Sequence, residues 1–137
     1  MRQPVLLTSN TGQEWNYVGE RVRADGWYGS VDGLHTVSIH YQDFIGRIKI
    51  QGTLSLNPDD DDWFDITLRG YTCSCDGAFI EFPLNDDPES GVAAFTFCGN
   101  FTFLRFVQDR SYISTDSLQI PDLKLTHGAI DKVLLSL

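Results

Sequence analysis

Residues 35–41 read His35-Thr36-Val37-Ser38-Ile39-His40-Tyr41, and residues 47–51 read Arg47-Ile48-Lys49-Ile50-Gln51. In both, side-chain character changes every second residue, and that period decides the fold. A strand sends successive side chains to opposite faces, so an apolar/polar alternation marks a sheet with one buried and one solvated side. His35, Val37, Ile39 and Tyr41 share one face, with Thr36, Ser38 and His40 on the other. In the second segment Ile48, Ile50, Leu54 and Leu56 are expected inside, and Arg47, Lys49, Gln51, Thr53 and Ser55 outside. Phe64, Ile66 and Leu68 alternate in the same way with Asp65, Thr67 and Arg69.

Outward from these segments the same structure continues. Residues 101–107 are apolar on both faces except for Thr102 and Arg105, as in a strand central to a packed sheet. Further strands are expected at 5–8, 78–82, 92–97 and 130–137. Turn signals separate the runs: Asp25-Gly26, Asp32-Gly33, Asn57-Pro58, Asp76-Gly77, Asp87-Pro88, Gly99-Asn100 and His127-Gly128. No window keeps an apolar stripe at helical spacing with caps. The chain is therefore expected to be all-β: a single antiparallel β-sandwich, jelly-roll-like, of about eight strands with little helix. Residues 1–137 form one domain in this reading, with 1–30 as an N-terminal arm or loop packed on it.

Size and charge bound the function. A chain of 137 residues can bury a core without staples, and 42% hydrophobic with 21% charged residues is ordinary for a globular protein. Ten Lys and Arg against 19 Asp and Glu give a net charge of −9. A surface of that sign meets nucleic acid or an anionic membrane with like charge, so neither is an expected partner. No segment approaches the roughly 18–20 apolar residues that cross a bilayer. Met1-Arg2-Gln3-Pro4-Val5-Leu6-Leu7 has one basic residue and a short apolar run, which does not read as a signal peptide and predicts a chain made and kept in a cytoplasm. The three cysteines fit that compartment, an odd number being unsuited to a paired framework. Cys73 and Cys75, two apart, face one side of a strand and are poorly placed to bond each other. With Cys98 they could in principle hold zinc, but no second pair has zinc spacing, and free thiols are expected.

The acidic run Asp59-Asp60-Asp61-Asp62 offers hard oxygen ligands for calcium, although it lacks the glycine and distal glutamate of the helix-loop-helix pattern; a solvated turn is the alternative. No cofactor is expected, and no nucleophile elbow or paired-carboxylate spacing marks a catalytic site. His35 and His40 fall on opposite faces and cannot converge. Trp15, Trp27, Tyr28 and Tyr112 lie in loop-like segments, where exposed rings stack on sugars, anchor protein interfaces, or simply pack a loop onto the sandwich.

Two resemblances add to this. Gly46-Arg47-Ile48-Lys49-Ile50-Gln51-Gly52-Thr53-Leu54, then Asp62-Trp63-Phe64-Asp65-Ile66, and later Phe101-Thr102-Phe103-Leu104-Arg105-Phe106, resemble strands of discoidin-like, galactose-binding-type sandwiches. Asp25-Gly26-Trp27-Tyr28-Gly29, Asp32-Gly33-Leu34-His35-Thr36-Val37, Gln51-Gly52-Thr53-Leu54, Asp62-Trp63-Phe64, Gly99-Asn100-Phe101-Thr102 and Ile130-Asp131-Lys132-Val133-Leu134-Leu135 resemble small virion structural proteins of contractile-tailed phages, the cyanophage type in particular. The sequence departs from that pattern at 71–76, whose two cysteines match nothing in it. The second resemblance implies a non-enzymatic capsid, neck, tail or baseplate component, made in the host cytoplasm, that oligomerises or docks on other virion proteins. The first implies the alternative, a carbohydrate-binding module that holds a surface glycan. A hydrolase whose site assembles only in three dimensions is a third possibility.

Overall fold

The computed structural model describes residues 5–9, 16–24, 33–70, 76–82, 84, 90–112 and 128–136. Their strands are β1 (Val5–Thr8), β2 (Tyr17–Val18), β3 (Val22–Arg23), β4 (Leu34–Gln42), β5 (Gly46–Thr53), β6 (Phe64–Asp65), β7 (Leu68–Gly70), β8 (Asp76–Gly77), β9 (Ile80–Phe82), β10 (Gly91–Cys98), β11 (Phe103–Asp109) and β12 (Ala129–Ser136). One 3-10 turn, Asp60–Asp62, precedes β6, and no α-helix occurs among the described residues. The first sheet runs β1-β12-β4-β10-β7-β8. The second runs β2-β11-β5-β6, with β3 also on β11 and β9 also on β5. Every pairing is antiparallel.

Four pairings are nested: β1 with β12, β2 and β3 with β11, β4 with β10, and β5 with β9. Nested pairs are those of one long hairpin, running out through β1–β5 and back through β9–β12. Folding that hairpin over on itself sets β12 beside β4 and β11 beside β5, as observed. This is the jelly-roll arrangement, two Greek keys forming two sheets. The excursion β6–β8 lies between the two arms of the hairpin.

The inner faces of the two sheets meet in one apolar core. Val37, Ile39, Phe95 and Leu135 from the first sheet and Ile48, Ile50, Leu104 and Phe106 from the second are all fully buried. Phe44, on the connection from β4 to β5, closes one end with Phe82, their ring centroids 5.5 Å apart and edge-on; Tyr41 meets Phe82 edge-on at 4.7 Å. Aromatic pairs of this geometry contribute about 0.5–1.5 kcal/mol beyond the area they bury.

The structure differs from the sequence reading in four places. Twelve strands replace the expected eight, because β2 and β3, one strand interrupted along β11, are added and the excursion holds three short strands, β6, β7 and β8, where a single one over 64–69 was expected. Gly19 N–H donates to Phe106 O at 2.8 Å and Ala24 N–H to Thr102 O at 2.9 Å, which carries the pairing past the interruption. Second, the described part of residues 1–30 supplies edge strands to both sheets instead of an arm laid over them. Third, Leu54 and Leu56 are 69% and 65% exposed, whereas Thr53 is fully buried. The β5 ladder ends at Thr53, and the ring of Phe101 occupies the inward space there: a Cβ on Gly52 would lie 2.7 Å from it. Fourth, Phe64 pairs opposite Gly52 on the edge strand and remains 44% exposed, its centroid 5.9 Å from that of Phe101.

Candidate recognition surfaces

With both inner faces consumed by the core, recognition falls to the outer faces. They differ sharply in chemistry. On the second sheet Arg47, Lys49 and Gln51 of β5 point outward, because Ile48 and Ile50 point in. Their register partners share that face: Asp109 and Glu81 flank Arg47, and Arg105 and Asp65 flank Gln51. The result is a ladder of charge-assisted bonds. Arg47 Nε donates to Glu81 Oε1 at 3.0 Å, Arg105 Nε to Gln51 Oε1 at 2.8 Å, and Gln51 Nε2 to Asp65 Oδ1 at 2.9 Å. Lys49 Nζ lies 3.8 Å from Asp65 and 3.9 Å from Asp109.

Aromatic rings lie against these cations. The Arg47 guanidinium carbon is 4.1 Å from the ring centroid of Tyr112 and 4.3 Å from that of Phe79. Arg105 covers Trp63 at 4.3 Å and Arg21 covers Phe103 at 4.6 Å. Such contacts are worth about 0.5–1 kcal/mol at exposed sites and hold the side chains in fixed positions. Burial pushes the Tyr112 hydroxyl pKa up, with Glu81 acting in the same direction, so it stays protonated at neutral pH.

Asp109 shows how the ladder couples to pH. Burial tends to raise its pKa, but the Ser111 hydroxyl and amide, with Lys49 and Arg47, outweigh that and leave it below the usual carboxylate range. Ser111 Oγ donates to Asp109 Oδ1 at 2.6 Å and the Ser111 amide donates to it at 2.9 Å. A pKa lower in the folded than in the unfolded state stabilises the fold above the unfolded value of about 3.9, and that stabilisation is lost as pH falls through the folded value. Asp109→Asn should melt below the wild type at pH 7, and the two should converge as the pH falls through the lowered folded-state value, in melting temperatures taken from neutral into acid.

The outer face of the first sheet is built differently. Leu6, Leu134, Ser38 and Ala94 stand in one row across β1, β12, β4 and β10. Ser136, Thr36, Thr96 and Arg69 form the next row. Lys132, His40 and Val92 lie towards one end, and Leu34 beside Cys98 towards the other. None of these in-register positions is a carboxylate, in a chain with 19 of them, although Asp131 sits at the β12 bulge between inward Ile130 and outward Lys132. The nearest in register is Asp76, on the edge strand β8 beyond Arg69. Leu6, Leu34 and Val92 are 52%, 63% and 53% exposed. Shallow recesses of about 190 Å³ (at Thr36, Ser38 and Leu134) and about 420 Å³ (at Leu34, Arg69 and Thr96) lie between the raised side chains.

Of the residues singled out from the sequence, Trp15, Trp27, Tyr28, Cys73 and Cys75 lie outside the described residues. Tyr112 is placed on the second sheet's face, 38% exposed, with its ring against Arg47. Cys98 is a free, exposed thiol. Asp59, Asp60, Asp61 and Asp62 are all exposed, and the Asp62 carboxylate turns back to accept the Asp59 amide at 2.8 Å. Among the described residues no three His, Cys, Asp or Glu side chains are grouped to hold a metal ion, and no helix is long and apolar enough to cross a membrane. His35 is buried in the core, its Nε2 2.8 Å from Gly99 O and its ring stacked on Phe97. Sequence reasoning missed Trp63, Phe79, Arg47 and Arg105 as a cluster. The local signal was three long polar side chains alternating through a core strand, with no indication of what would lie across from them.

Compared with known proteins, the chain matches no family model, no curated protein and no solved structure.

Proposed function

We propose that this chain is a non-enzymatic structural component of a phage particle and works by protein–protein assembly. The observation that supports this best is the scarcity of carboxylates on the outer face of the first sheet, where Asp131 at the β12 bulge and Asp76 on edge strand β8 are set against Lys132 and Arg69. A molecule of net charge −9 repels its neighbours wherever acidic surface meets acidic surface, so a broad neutral face is where another protein can approach at least cost. Capsid and lectin domains both use the jelly roll, so the fold alone does not choose between assembly and sugar binding. The sequence resemblance to phage structural proteins favours assembly, with other virion proteins as partners and the host cytoplasm as the place of synthesis.

The test is sedimentation of intact particles through a density gradient. Presence of the chain at fixed stoichiometry in the particle fraction, held or tightened as salt rises to physiological strength, is the expected result. A chain that stays wholly in the soluble fraction while particles mature normally would overturn the proposal. Screening weakens the repulsion between acidic surfaces, which is why salt should not dissociate the assembly.

One observation favours a second reading, carbohydrate binding: Trp63, Phe79 and Tyr112 border a ladder of fixed donors and acceptors on the second sheet. Sugar recognition needs ring faces for C–H stacking and polar groups for hydroxyls. Under that reading Tyr112→Ala and Trp63→Ala abolish retention on a glycan array and leave particle incorporation unchanged.

A further inference from the structure

We infer that the outer face of the second sheet binds a neutral oligosaccharide laid along β5 and held at both ends by arginines that the fold has already fixed in place. This rests on the carbohydrate reading and deepens it, by naming the ligand as uncharged and as a chain of linked rings.

The two arginines are constrained for surface side chains. Arg47 donates its Nε proton to Glu81 and lies between two rings, with Tyr112 at 4.1 Å and Phe79 at 4.3 Å. Arg105 donates its Nε proton to Gln51 and lies over Trp63 at 4.3 Å, and Gln51 is itself tied to Asp65. In both guanidinium groups the two terminal nitrogens make no hydrogen bond among the described residues. Each therefore presents a fork of donors whose position is set before any ligand arrives. Ordering a long side chain is part of the cost of binding, and here folding has ordered it. Lys49 stands between the forks, its Nζ 3.8 Å from Asp65 and 3.9 Å from Asp109, beyond hydrogen-bond distance of either.

The groups between the forks select the ligand. Arg47, Lys49 and Arg105 are interleaved with Glu81, Asp65 and Asp109, so the strip carries no net charge. Among the described residues Glu81 Oε2, Asp65 Oδ2 and Asp109 Oδ2 accept no hydrogen bond. A hydroxyl both donates and accepts, so it bonds to either kind of group on this strip. A phosphate or carboxylate only accepts. It would satisfy the forks but set its charge against three carboxylates, in a chain of net charge −9. A protein partner would strip water from six charged groups and return few of the bonds that water made. Hydroxyls return them one for one.

Register sets the length. Arg105 stands opposite Gln51, four residues along β5 from Arg47, which is about 13 Å at about 3.3 Å per residue. Aromatic rings stand at both ends of that span: Tyr112 and Phe79, 38% and 41% exposed, beside Arg47, and Trp63 beneath Arg105. A sugar offers C–H faces to such rings and hydroxyls to the polar groups between them. One sugar ring reaches one end of the strip; a chain of rings reaches both.

The test uses the full chain on an array of neutral and acidic glycans running from monosaccharides to hexasaccharides, followed by calorimetry with the neutral hexasaccharide retained most strongly. Retention should rise with the number of rings and be confined to neutral glycans. Arg47→Met and Arg105→Met, one at each end, should each raise the dissociation constant about 10-fold. Arg69→Met is the control, the same loss of charge at an exposed position on the first sheet, and should leave it unchanged. Urea melts of each variant separate lost binding from lost folding. A wild type that binds monosaccharides as tightly as hexasaccharides, that retains only acidic glycans, or that keeps its affinity in both variants overturns this inference and leaves the carbohydrate reading standing. A wild type that retains no glycan overturns both, and particle sedimentation then decides the assembly reading by itself.

Discussion

Ile50→Asp is expected to leave no folded population at ambient temperature, whereas Lys49→Asp, one residue away, folds. Ile50 is fully buried on β5, opposite Phe106, and its carbonyl accepts the Ile66 amide at 3.0 Å. The substitution removes an apolar side chain from the meeting plane of the two sheets and leaves a carboxylate there without a cation. The lost packing alone costs roughly 2–5 kcal/mol, and an uncompensated buried charge adds several more or forces protonation. Together these match or exceed the total stability of about 5–15 kcal/mol available to a domain. Lys49 faces solvent between Asp65 and Asp109, so Lys49→Asp exchanges two weak attractions for two weak repulsions; about 1 kcal/mol and a few degrees of melting temperature is the expected loss. Chemical denaturation of the pair reads both, and greater damage from Lys49→Asp would mean the strand register is wrong by one residue.

The contrast between those neighbours was legible in the sequence, because alternation is a local property. Segments of sustained alternation, such as β4 and β5, could be read from period alone. The two-residue strands β2, β3 and β8 could not: two residues have no period, and they exist because a neighbouring strand offers unpaired backbone groups. Leu54 and Leu56 failed for a related reason. The pattern of β5 continues past Thr53, but the ladder does not, since Phe101, far along the chain, fills the inward space at Gly52. Which strands lie side by side is likewise a long-range fact, and no segment records that residues 5–8 meet 133–135.

The same limit governs the surfaces. The outward positions of β5 were readable, but the stacking of Arg47 between Phe79 and Tyr112 depends on β9, β5 and the end of β11 coming into register. Thr36, Ser38 and His40 were readable as an outer face of unremarkable polarity. Its scarcity of carboxylates, with only Asp131 at the β12 bulge and Asp76 at the edge, emerged only when β1, β12 and β10 were laid beside β4, because the chain's acids are spread along the sequence and sorted only in three dimensions.

Arg110 was not singled out from the sequence, and its replacement by leucine carries the other large expected effect. The residue follows β11 and is fully buried, a cation in the place of a core side chain. Its Nε donates to Ile45 O at 2.7 Å and one terminal nitrogen to Gly128 O at 2.9 Å; its backbone amide donates to Asn16 Oδ1 at 2.8 Å, and its guanidinium lies 4.6 Å from the Phe44 ring centroid. One side chain thus ties the β4–β5 connection to the start of β12 and the end of β11. Burial lowers its pKa to about 10, with Tyr112 opposing that shift, so it remains charged at any physiological pH. A permanent buried charge must be solvated by the protein, and carbonyl oxygens and an aromatic face do that here. Gly46 is part of the same arrangement: its φ is +154°, and a Cβ there would lie 2.9 Å from Arg110 Cγ and 2.9 Å from Phe44. Arg110→Leu leaves two carbonyls without these donors inside the fold, each worth about 1–3 kcal/mol, and a loss of about 3–5 kcal/mol is expected. Arg110→Lys keeps the charge but has no planar fork to reach both carbonyls at once, so it should recover less than half of that loss. Urea melts of the three proteins measure it, and an Arg110→Leu variant as stable as the wild type would show that this end of the sandwich is held by its aromatic packing alone.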